Sequence, residues 1–371
     1  MREYFLLDPD VVFLNHGSFG ACPVPVFEAY QRWQRELERQ PVEFLGRRAD
    51  SLLDSARAEL ALYLNAPVDE LIFVPNATVG VNTVARSLKL QPGDEILTTD
   101  HEYGACDKTW EFVCKKTGAQ YIKHPVPLPF DPAAMIESVW AAVTPRTKVL
   151  YLSHITSPTA LIFLVEELVR RAKAAGIFTL IDGAHAPGQL PLDLTALGAD
   201  AYTGNLHKWL CAPKGAGFLH VRREHHAMIE PLVISWGYGD GASFVTQNQW
   251  QGTRDLAAFL SVPDAIAFQA AHDWDSVRRR CHDLALETRA RICDLTRLAP
   301  IAPDDSIGQL FTARVQTDDV FALKTRLYDD CRIELPAILW NAQTFIRVSF
   351  QGYNTRTDAD ALLKALKELL L

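Results

Sequence analysis

The feature that most constrains the fold is an alternation of short β-rich runs with helical stretches between about residues 68 and 221. Strand candidates cover residues 71–74, 95–99, 148–152 and 177–181, and helical patterns cover residues 78–88 and 161–175. Such alternation is typical of βαβ units and predicts a mainly parallel sheet. Because parallel crossovers are right-handed, helices are expected on both faces of this sheet. The sequence therefore predicts an α/β fold.

Polar residues follow the ends of several of these predicted strands. In open parallel sheets, ligands bind beyond the carboxyl ends of the strands. The polar positions that fall just after a predicted strand are Asn76, residues 100–103, residues 153–157, Asp182 and residues 205–208. We therefore expect one functional site at this edge of the sheet.

The remainder of the chain has a different pattern. Residues 31–45 form a charged amphipathic stretch, which predicts a surface or interface helix. Beyond the predicted sheet, helical character is expected over residues 256–300, 319–330 and 358–371, and strands are expected at residues 307–315, 332–335 and 345–350. This pattern predicts a smaller α+β C-terminal domain that begins near residue 260 to 280.

The composition excludes several classes of partner. The net charge of the 371 residues is −8, so nothing basic suggests a nucleic-acid-binding protein. No run of about 18 apolar residues occurs, and the N-terminus lacks the apolar core of a signal peptide, so we expect no membrane span. The seven cysteines include no C-x-x-C pair, which indicates reduced thiols in a cytoplasmic protein. No metal site is expected.

Lys208 is the most informative residue for chemistry. It lies in the stretch Tyr202-Thr203-Gly204-Asn205-Leu206-His207-Lys208-Trp209, which is otherwise uncharged apart from its histidine. Asp182 comes 26 positions earlier, at the end of an apolar run. Pyridoxal phosphate (PLP) needs a lysine for its Schiff base and a carboxylate that keeps its ring nitrogen protonated. The pair therefore predicts PLP as the cofactor, with Lys208 and Asp182 as catalytic residues.

Further residues are candidates for holding PLP. His185 would reach the phenolic oxygen of the ring or stack nearby, although a purely structural histidine is the alternative. Ala77 and Thr78 lie at a predicted helix start, where free backbone N–H groups bind anions such as the phosphate. Ordinary N-capping is compatible with that role. From the lysine segment, Asn205 and His207 could also reach the phosphate.

Two more side chains are expected to contact the cofactor or the substrate. Tyr103 follows a predicted strand and could cover one face of the pyridine ring, with an exposed surface tyrosine as the alternative. Arg347 alternates with apolar residues in the strand candidate at residues 345–350. A bidentate arginine is suited to the carboxylate of an amino acid, whereas an exposed edge-strand arginine would have no such role.

Together these motifs resemble the class V aminotransferase family of PLP-dependent fold type I enzymes, and in particular its isopenicillin N epimerase-like group. The segments that carry the resemblance are residues 13–20, 100–110, 153–160, 182–186, 205–218, 250–255 and 347–355. The lysine and aspartate motifs are specific for the cofactor but not for the substrate.

The resemblance implies an architecture and further site residues. It implies a large PLP-binding domain over residues 15–260 and a small domain built from residues 1–14 and 261–371. It also implies a homodimer in which Thr253 reaches the phosphate of the cofactor bound to the other subunit. Ser157 would lie near the phenolic oxygen of the ring, Arg347 would bind the substrate carboxylate, and Asn15 and His16 would lie at the substrate mouth.

One departure separates branches of this family. Cysteine desulfurases carry a nucleophilic cysteine on a mobile loop shortly before the arginine that matches Arg347. Here residues 333–346 contain no cysteine, and Cys331 lies in an expected helix-to-strand passage. A desulfurase that forms a persulfide is therefore disfavoured.

The reaction follows from what Lys208 does to an amino-acid substrate. As a neutral amine it would remove the Cα proton of an amino acid or peptide-like amino acid. Return of a proton to the opposite face gives epimerisation, which is the leading hypothesis. The alternatives are C–S elimination from a cysteine conjugate or sulfoxide, and transamination. A binding protein without activity is disfavoured because the lysine is present and no DNA-binding domain is fused.

Overall fold

The computed structural model of the chain describes residues 1–370. Its strands are β1 (Val12–Phe13), β2 (Leu71–Val74), β3 (Glu95–Thr99), β4 (Gln120–His124), β5 (Thr147–Ser153), β6 (Phe178–Asp182), β7 (Ala201–Asn205), β8 (Gly217–Val221), β9 (Leu310–Arg314), β10 (Ile333–Glu334), β11 (Ala337–Trp340) and β12 (Gln343–Ser349). Its α-helices are α1 (His16–Phe19), α2 (Val24–Arg39), α3 (Pro41–Glu43), α4 (Ala49–Leu64), α5 (Ala77–Ser87), α6 (Gly104–Thr117), α7 (Pro132–Ala141), α8 (Val165–Ala174), α9 (Leu194–Leu197), α10 (Phe244–Gln249), α11 (Ala257–Leu260), α12 (Val262–Ala271), α13 (Trp274–Thr296), α14 (Val320–Asp329) and α15 (Arg356–Leu370). None of the helices within residues 1–370 is long and apolar enough to cross a membrane.

A seven-stranded sheet forms the centre of the molecule, in the order β2-β8-β7-β6-β5-β3-β4. All of its strands run parallel except β8, which is antiparallel to both of its neighbours. The predicted mainly parallel sheet is therefore confirmed. Because β2 points the same way as β7, the carboxyl ends of β2, β3, β5, β6 and β7 meet at one edge.

Both faces of the sheet are covered by helices. Ile72 and Val74 pack in a core with α5 and α6, while Leu71 and Phe73 point to the opposite face and pack in a core that includes α4 and α8. Successive residues of a strand face opposite sides, so a strand buried on both sides reads as a continuous apolar run. This explains why short runs of apolar residues located the strands in the sequence.

The C-terminal part forms a separate antiparallel sheet in the order β11-β12-β9. The N-terminal strand β1 pairs in parallel with β10, so the first residues of the chain join this C-terminal part. This pairing agrees with a small domain built from both ends of the chain, and the boundaries at residues 14 and 260 stay a prediction.

The tip of the β11–β12 hairpin reaches the central sheet. Its turn residues Asn341 and Ala342 have φ values of +46° and +58°. Trp340 Nε1 donates a hydrogen bond to the carbonyl oxygen of Asp100 at 3.1 Å, and Asn341 Nδ2 donates to Asp100 Oδ2 at 2.8 Å. Asp100 directly follows β3, so the hairpin is attached to the carboxyl edge of the central sheet.

Two predicted helices differ from the structure. The helix expected from residue 161 begins at Val165. Thr156 Oγ1 accepts a hydrogen bond from the Leu161 backbone N–H at 2.9 Å, which holds the preceding residues in a turn. The helix expected over residues 31–45 runs instead from Val24 to Arg39, and a short π-helix follows at Phe44–Arg48. Pro41 ends the first of these helices because its ring cannot continue the helical hydrogen bonds.

The close packing of α5 on the sheet supplies a test of the fold. A Cβ atom on Gly80 would overlap the side chain of Thr203 in β7. We expect Gly80→Ala to lower the free energy of unfolding by about 1–3 kcal/mol, the usual cost of overpacking a core. Gly104→Ala is the matched control, because Gly104 is also helical and has no atom within 4 Å of the added Cβ. Thermal unfolding of both variants measures the difference, and equal stability would contradict this account of the packing.

Candidate active site

A pocket of about 230 Å³ lies at the carboxyl edge of the central sheet. Nine of the residues predicted from the sequence line it, namely Ala77, Thr78, Tyr103, Ser157, Asp182, His185, Asn205, His207 and Lys208. These residues come from segments that follow β2, β3, β5, β6 and β7, which agrees with the expectation of one site at this edge. Ser153, Asp182 and Asn205 are the last residues of their strands rather than the first residues after them.

Lys208 lies in the wall of this pocket and is buried. Removal from water disfavours the charged amine, and the positive charge of Arg347 adds to this effect, so the pKa of Lys208 is lowered to about 7. The negative charge of Asp182 opposes the shift. The Nζ atom lies 3.0 Å from His185 Nε2. A large fraction of Lys208 is therefore a neutral amine near pH 7, which is the form that acts as a nucleophile or base.

Asp182 is a buried carboxylate at the end of β6. Its Oδ1 accepts a hydrogen bond from the Ala184 N–H at 2.9 Å, and its Oδ2 lies 3.3 Å from the Tyr151 hydroxyl and 3.6 Å from Cys106 Sγ. Burial raises the pKa of Asp182, while the Ala184 N–H and the charge of Lys208 oppose this change. Among residues 1–370 no cationic group lies within 4 Å of Asp182. A buried carboxylate without a counter-ion fits a protonated pyridine nitrogen.

The start of α5 offers free donors for an anion. Asn76 caps the helix by accepting the Val79 N–H at 3.0 Å, and the Ala77 N–H donates to Asn205 Oδ1 at 2.8 Å. Within the described residues, the backbone N–H and hydroxyl of Thr78 have no hydrogen-bond partner. A helix N-terminus with unused donors fits a phosphate group. The Asn205 side chain thus accepts the hydrogen bond of the Ala77 N–H, and the backbone N–H and hydroxyl of Thr78 remain as donors for a phosphate.

Arg347 lies on β12, the central strand of the small sheet, and it contacts two residues of the pocket wall without lining the pocket itself. Its Nη1 donates to the Ser157 carbonyl oxygen at 2.5 Å and its Nη2 donates to Ser18 Oγ at 3.1 Å. Its Nε is buried and has no partner among the described residues. Burial lowers its pKa to about 10. Because this guanidinium contacts only neutral oxygens, it is suited to a carboxylate supplied by a substrate.

Besides Arg347, three predicted residues do not line this pocket. His16 is fully buried, with Nδ1 2.9 Å from the Tyr353 hydroxyl and Nε2 3.0 Å from the Lys208 carbonyl oxygen. Asn15 Nδ2 donates to Glu334 Oε1 at 2.8 Å. Both side chains are engaged in contacts that join the N-terminal segment to its neighbours, and Asn15 also contacts Ser18 of the pocket wall. Their place at the substrate mouth stays a prediction. Thr253 lines a separate cleft of about 1020 Å³.

Sequence reasoning missed several residues of the site. Ser18 and Phe19 line the pocket. Both lie in residues 13–20, one of the segments that carry the family resemblance. Tyr151 and Cys106 contact Asp182 from the face covered by α5 and α6. The period of two in β5, which places Tyr151 on the same face as Ser153, was the available signal.

Glu102 forms a buried polar cluster behind the pocket. Its two carboxyl oxygens lie 2.7 Å from Thr99 Oγ1 and 2.6 Å from Ser153 Oγ. Burial raises the pKa of Glu102 to about 8 against the two hydrogen bonds, so the group is mainly neutral at pH 7. Glu102 therefore adds little negative charge beside Asp182.

Comparison with known proteins agrees with this chemistry. The profile described as Aminotransferase class-V matches residues 22–362. The chain is 38% identical to an isopenicillin N epimerase of Amycolatopsis lactamdurans, over 99% of this chain and 97% of that protein. It is 30% identical to a putative L-cysteine desulfhydrase 1 of Oryza sativa subsp. japonica, over 97% of this chain and 83% of that protein.

The fold is also found among solved structures. A C-DES variant with glycine covalently linked to its PLP cofactor matches 99% of both chains with a TM-score of 0.85 and 21% identity. This likeness confirms the predicted fold type, and the match to the family spans nearly the whole chain. The chain therefore belongs to the class V aminotransferase family and is a PLP-dependent enzyme.

Proposed function

We propose that this enzyme is an epimerase that inverts the Cα centre of an amino acid or a peptide-like amino acid. The observation that carries the proposal is Lys208, a buried amine with a pKa lowered to about 7, in one pocket with Asp182 and within reach of Arg347. Such an amine is neutral enough to accept a proton and acidic enough afterwards to return it.

Four residues would have separate roles in this reaction. Asp182 would hold the pyridine nitrogen and Thr78 would hold the phosphate of PLP. When bound, PLP withdraws electrons from the substrate Cα. Arg347 would bind the substrate carboxylate with the donors that now contact Ser18 and Ser157. Lys208 would take the Cα proton on one face of the substrate.

Epimerisation also requires a proton donor for the other face. Three side chains that can carry a proton are candidates for this role, namely His16, His185 and Tyr103. His16 is buried and does not line the pocket, and His185 lies beside Lys208. Tyr103 remains, with 47% of its surface exposed at the pocket wall. We propose that the Tyr103 hydroxyl, or a water that it holds, supplies this proton.

The closest rival activity is C–S elimination. It is supported by the 30% identity to a putative cysteine desulfhydrase. Epimerisation is preferred because the identity to an isopenicillin N epimerase is higher and extends over almost the whole of both chains. Transamination is a third possibility within the family. A persulfide-forming desulfurase is disfavoured, since residues 333–346 form β10, β11 and β12 without a cysteine, and Cys331 does not line the pocket.

We also propose a cytoplasmic homodimer with Thr253 at the phosphate of the other subunit. The cleft that contains Thr253 is bordered by Trp236, which is 93% exposed, and Ile234 nearby is 62% exposed. Exposed apolar side chains grouped in this way are typical of a protein interface. A second subunit would cover them and bring Thr253 to its expected position.

A panel assay in deuterated water tests the proposed reaction. The PLP-loaded enzyme is incubated with single L-amino acids and with peptides that present a free L-amino acid, and the products are separated on a chiral column. We expect inversion at Cα together with incorporation of solvent deuterium at Cα. Release of pyruvate and a thiol, with no inverted product, would instead assign the enzyme as a C–S lyase.

A further inference from the structure

Trp209 follows Lys208 directly and turns back to contact His185. The side chain is fully buried, and its Nε1 lies 3.3 Å from His185 Nδ1. An indole nitrogen carries a hydrogen and has no lone pair to offer, so it is only a donor. The His185 Nδ1 is therefore an acceptor in this contact and carries no proton.

The other nitrogen of the same ring faces the lysine. His185 Nε2 lies 3.0 Å from Lys208 Nζ. A charged lysine is only a donor, so it would need a lone pair on Nε2 and would move the ring proton to Nδ1. That proton would then face the Trp209 N–H, with two donors opposed. The contact to Trp209 and a charged Lys208 are thus incompatible while the histidine is neutral.

A doubly protonated histidine is no solution to this conflict. It would place a proton on Nδ1 as well, against the same indole N–H. Burial, followed by the positive charges of Lys208 and Arg347, also holds the pKa of His185 well below its usual value. One arrangement pairs a donor with an acceptor in both contacts of the ring, namely a neutral ring with its proton on Nε2, directed at the lone pair of a neutral Lys208 amine.

We propose that Trp209 is a positioning residue: its indole N–H holds His185 in the tautomer protonated at Nε2, so that His185 donates to the Lys208 amine and cannot accept from it. The segment that carries the reactive lysine thereby also keeps that lysine uncharged. When the Lys208 amine moves away from His185 Nε2, any acceptor atom that occupies its position receives the same hydrogen bond from His185.

Part of this inference rests on the proposed function and part does not. The tautomer of His185 is a property of the folded protein and needs no turnover. The effect on the reaction assumes that Lys208 is the base. Two measurements therefore separate the failure of this proposal from the failure of the proposed function.

The first measurement is ¹⁵N NMR of the PLP-loaded enzyme labelled in histidine, with the His185 signals assigned from a His185→Gln variant. The proton in the wild-type enzyme is expected on Nε2. Trp209→Phe keeps an aromatic ring but removes the donor, and a population protonated at Nδ1 is expected to appear. A wild-type proton on Nδ1 would overturn the proposal without any need for the variant to fold.

The second measurement is the dependence of kcat on pH, which reports groups in the enzyme–substrate complex. Without the indole donor, a charged Lys208 can donate to His185, so the pKa of the amine rises. We expect the acid limb of the kcat profile to move to higher pH in Trp209→Phe by about one unit, the scale of one hydrogen bond.

Trp274→Phe is the matched control for both measurements. Trp274 is also buried and donates its indole N–H at 3.2 Å, but to the Gly188 carbonyl oxygen. This variant loses the same atoms and one hydrogen bond, and it should leave the tautomer and the acid limb unchanged. The proposal is overturned if Trp209→Phe leaves both unchanged, or if Trp274→Phe moves them equally. Absence of turnover with a correct tautomer would count against the proposed function alone.

Discussion

Lys208→Ala is expected to lower kcat by about 10⁴-fold, the upper end of what one positioned acid–base group contributes. The reason is that no other amine lines the pocket within the described residues, so nothing replaces the group that takes the Cα proton. The kcat of the variant is measured with the best substrate of the panel. Borohydride reduction followed by mass spectrometry of peptides gives a second readout, because the PLP label on residue 208 should disappear.

Lys115→Ala is a suitable control for this experiment. Lys115 lies exposed on α6, and its loss removes a lysine without touching the pocket. The control should keep wild-type kcat and wild-type labelling. Substantial turnover in Lys208→Ala, or a reducible label on a different lysine, would show that the base has been assigned to the wrong residue.

Asp182→Asn is expected to lower kcat by roughly 10²–10³-fold, the scale for loss of one preorganised electrostatic partner in an active site. Asparagine has the same shape but cannot hold the ring nitrogen protonated. Its amide group also fits poorly, since an Nδ2 atom would face either the Ala184 N–H or the donors on Tyr151 and Cys106. The visible absorption of the purified variant shows whether PLP is still bound.

Tyr151→Phe gives the comparison for Asp182→Asn. It removes one hydrogen bond to Asp182 Oδ2 and keeps the carboxylate charge. A decrease of no more than about tenfold is expected, in line with the loss of a single hydrogen bond. If Asp182→Asn retained wild-type kcat with PLP bound, the charge of Asp182 would have no part in the reaction.

Much of the fold could be predicted because its strands are short and buried on both faces. Residues 71–74 and 95–99 match β2 and β3 at both ends. The parallel arrangement then places the ends of distant strands at one edge, so the sequence alone assigns Lys208 and Asp182 to one pocket. The chemistry of a strand arginine and the family resemblance both pointed to Arg347, whose side chain contacts two residues of the pocket wall.

Other features depend on contacts that no local pattern reveals. The contacts of Asp182 with Tyr151 and Cys106 join three separate segments. An apolar run predicts a buried strand but does not show which side chain the Tyr151 hydroxyl will contact. His16 was expected at the substrate mouth because of its position in a motif, whereas its partners lie far along the chain, at Lys208 and Tyr353.

The attachment of the β11–β12 hairpin to Asp100 has a consequence for which substrates are accepted. Arg347 lies on β12, and Tyr103 lies three residues after Asp100, so the attachment joins the segments that carry these two proposed substrate contacts. The distance available to the α-carboxylate end of a substrate is then set by these two segments. Substrates of different length would have to differ beyond this end, where the side chain or peptide extension leaves the pocket. Selectivity should accordingly be strict for a free α-carboxylate and permissive for what lies beyond it.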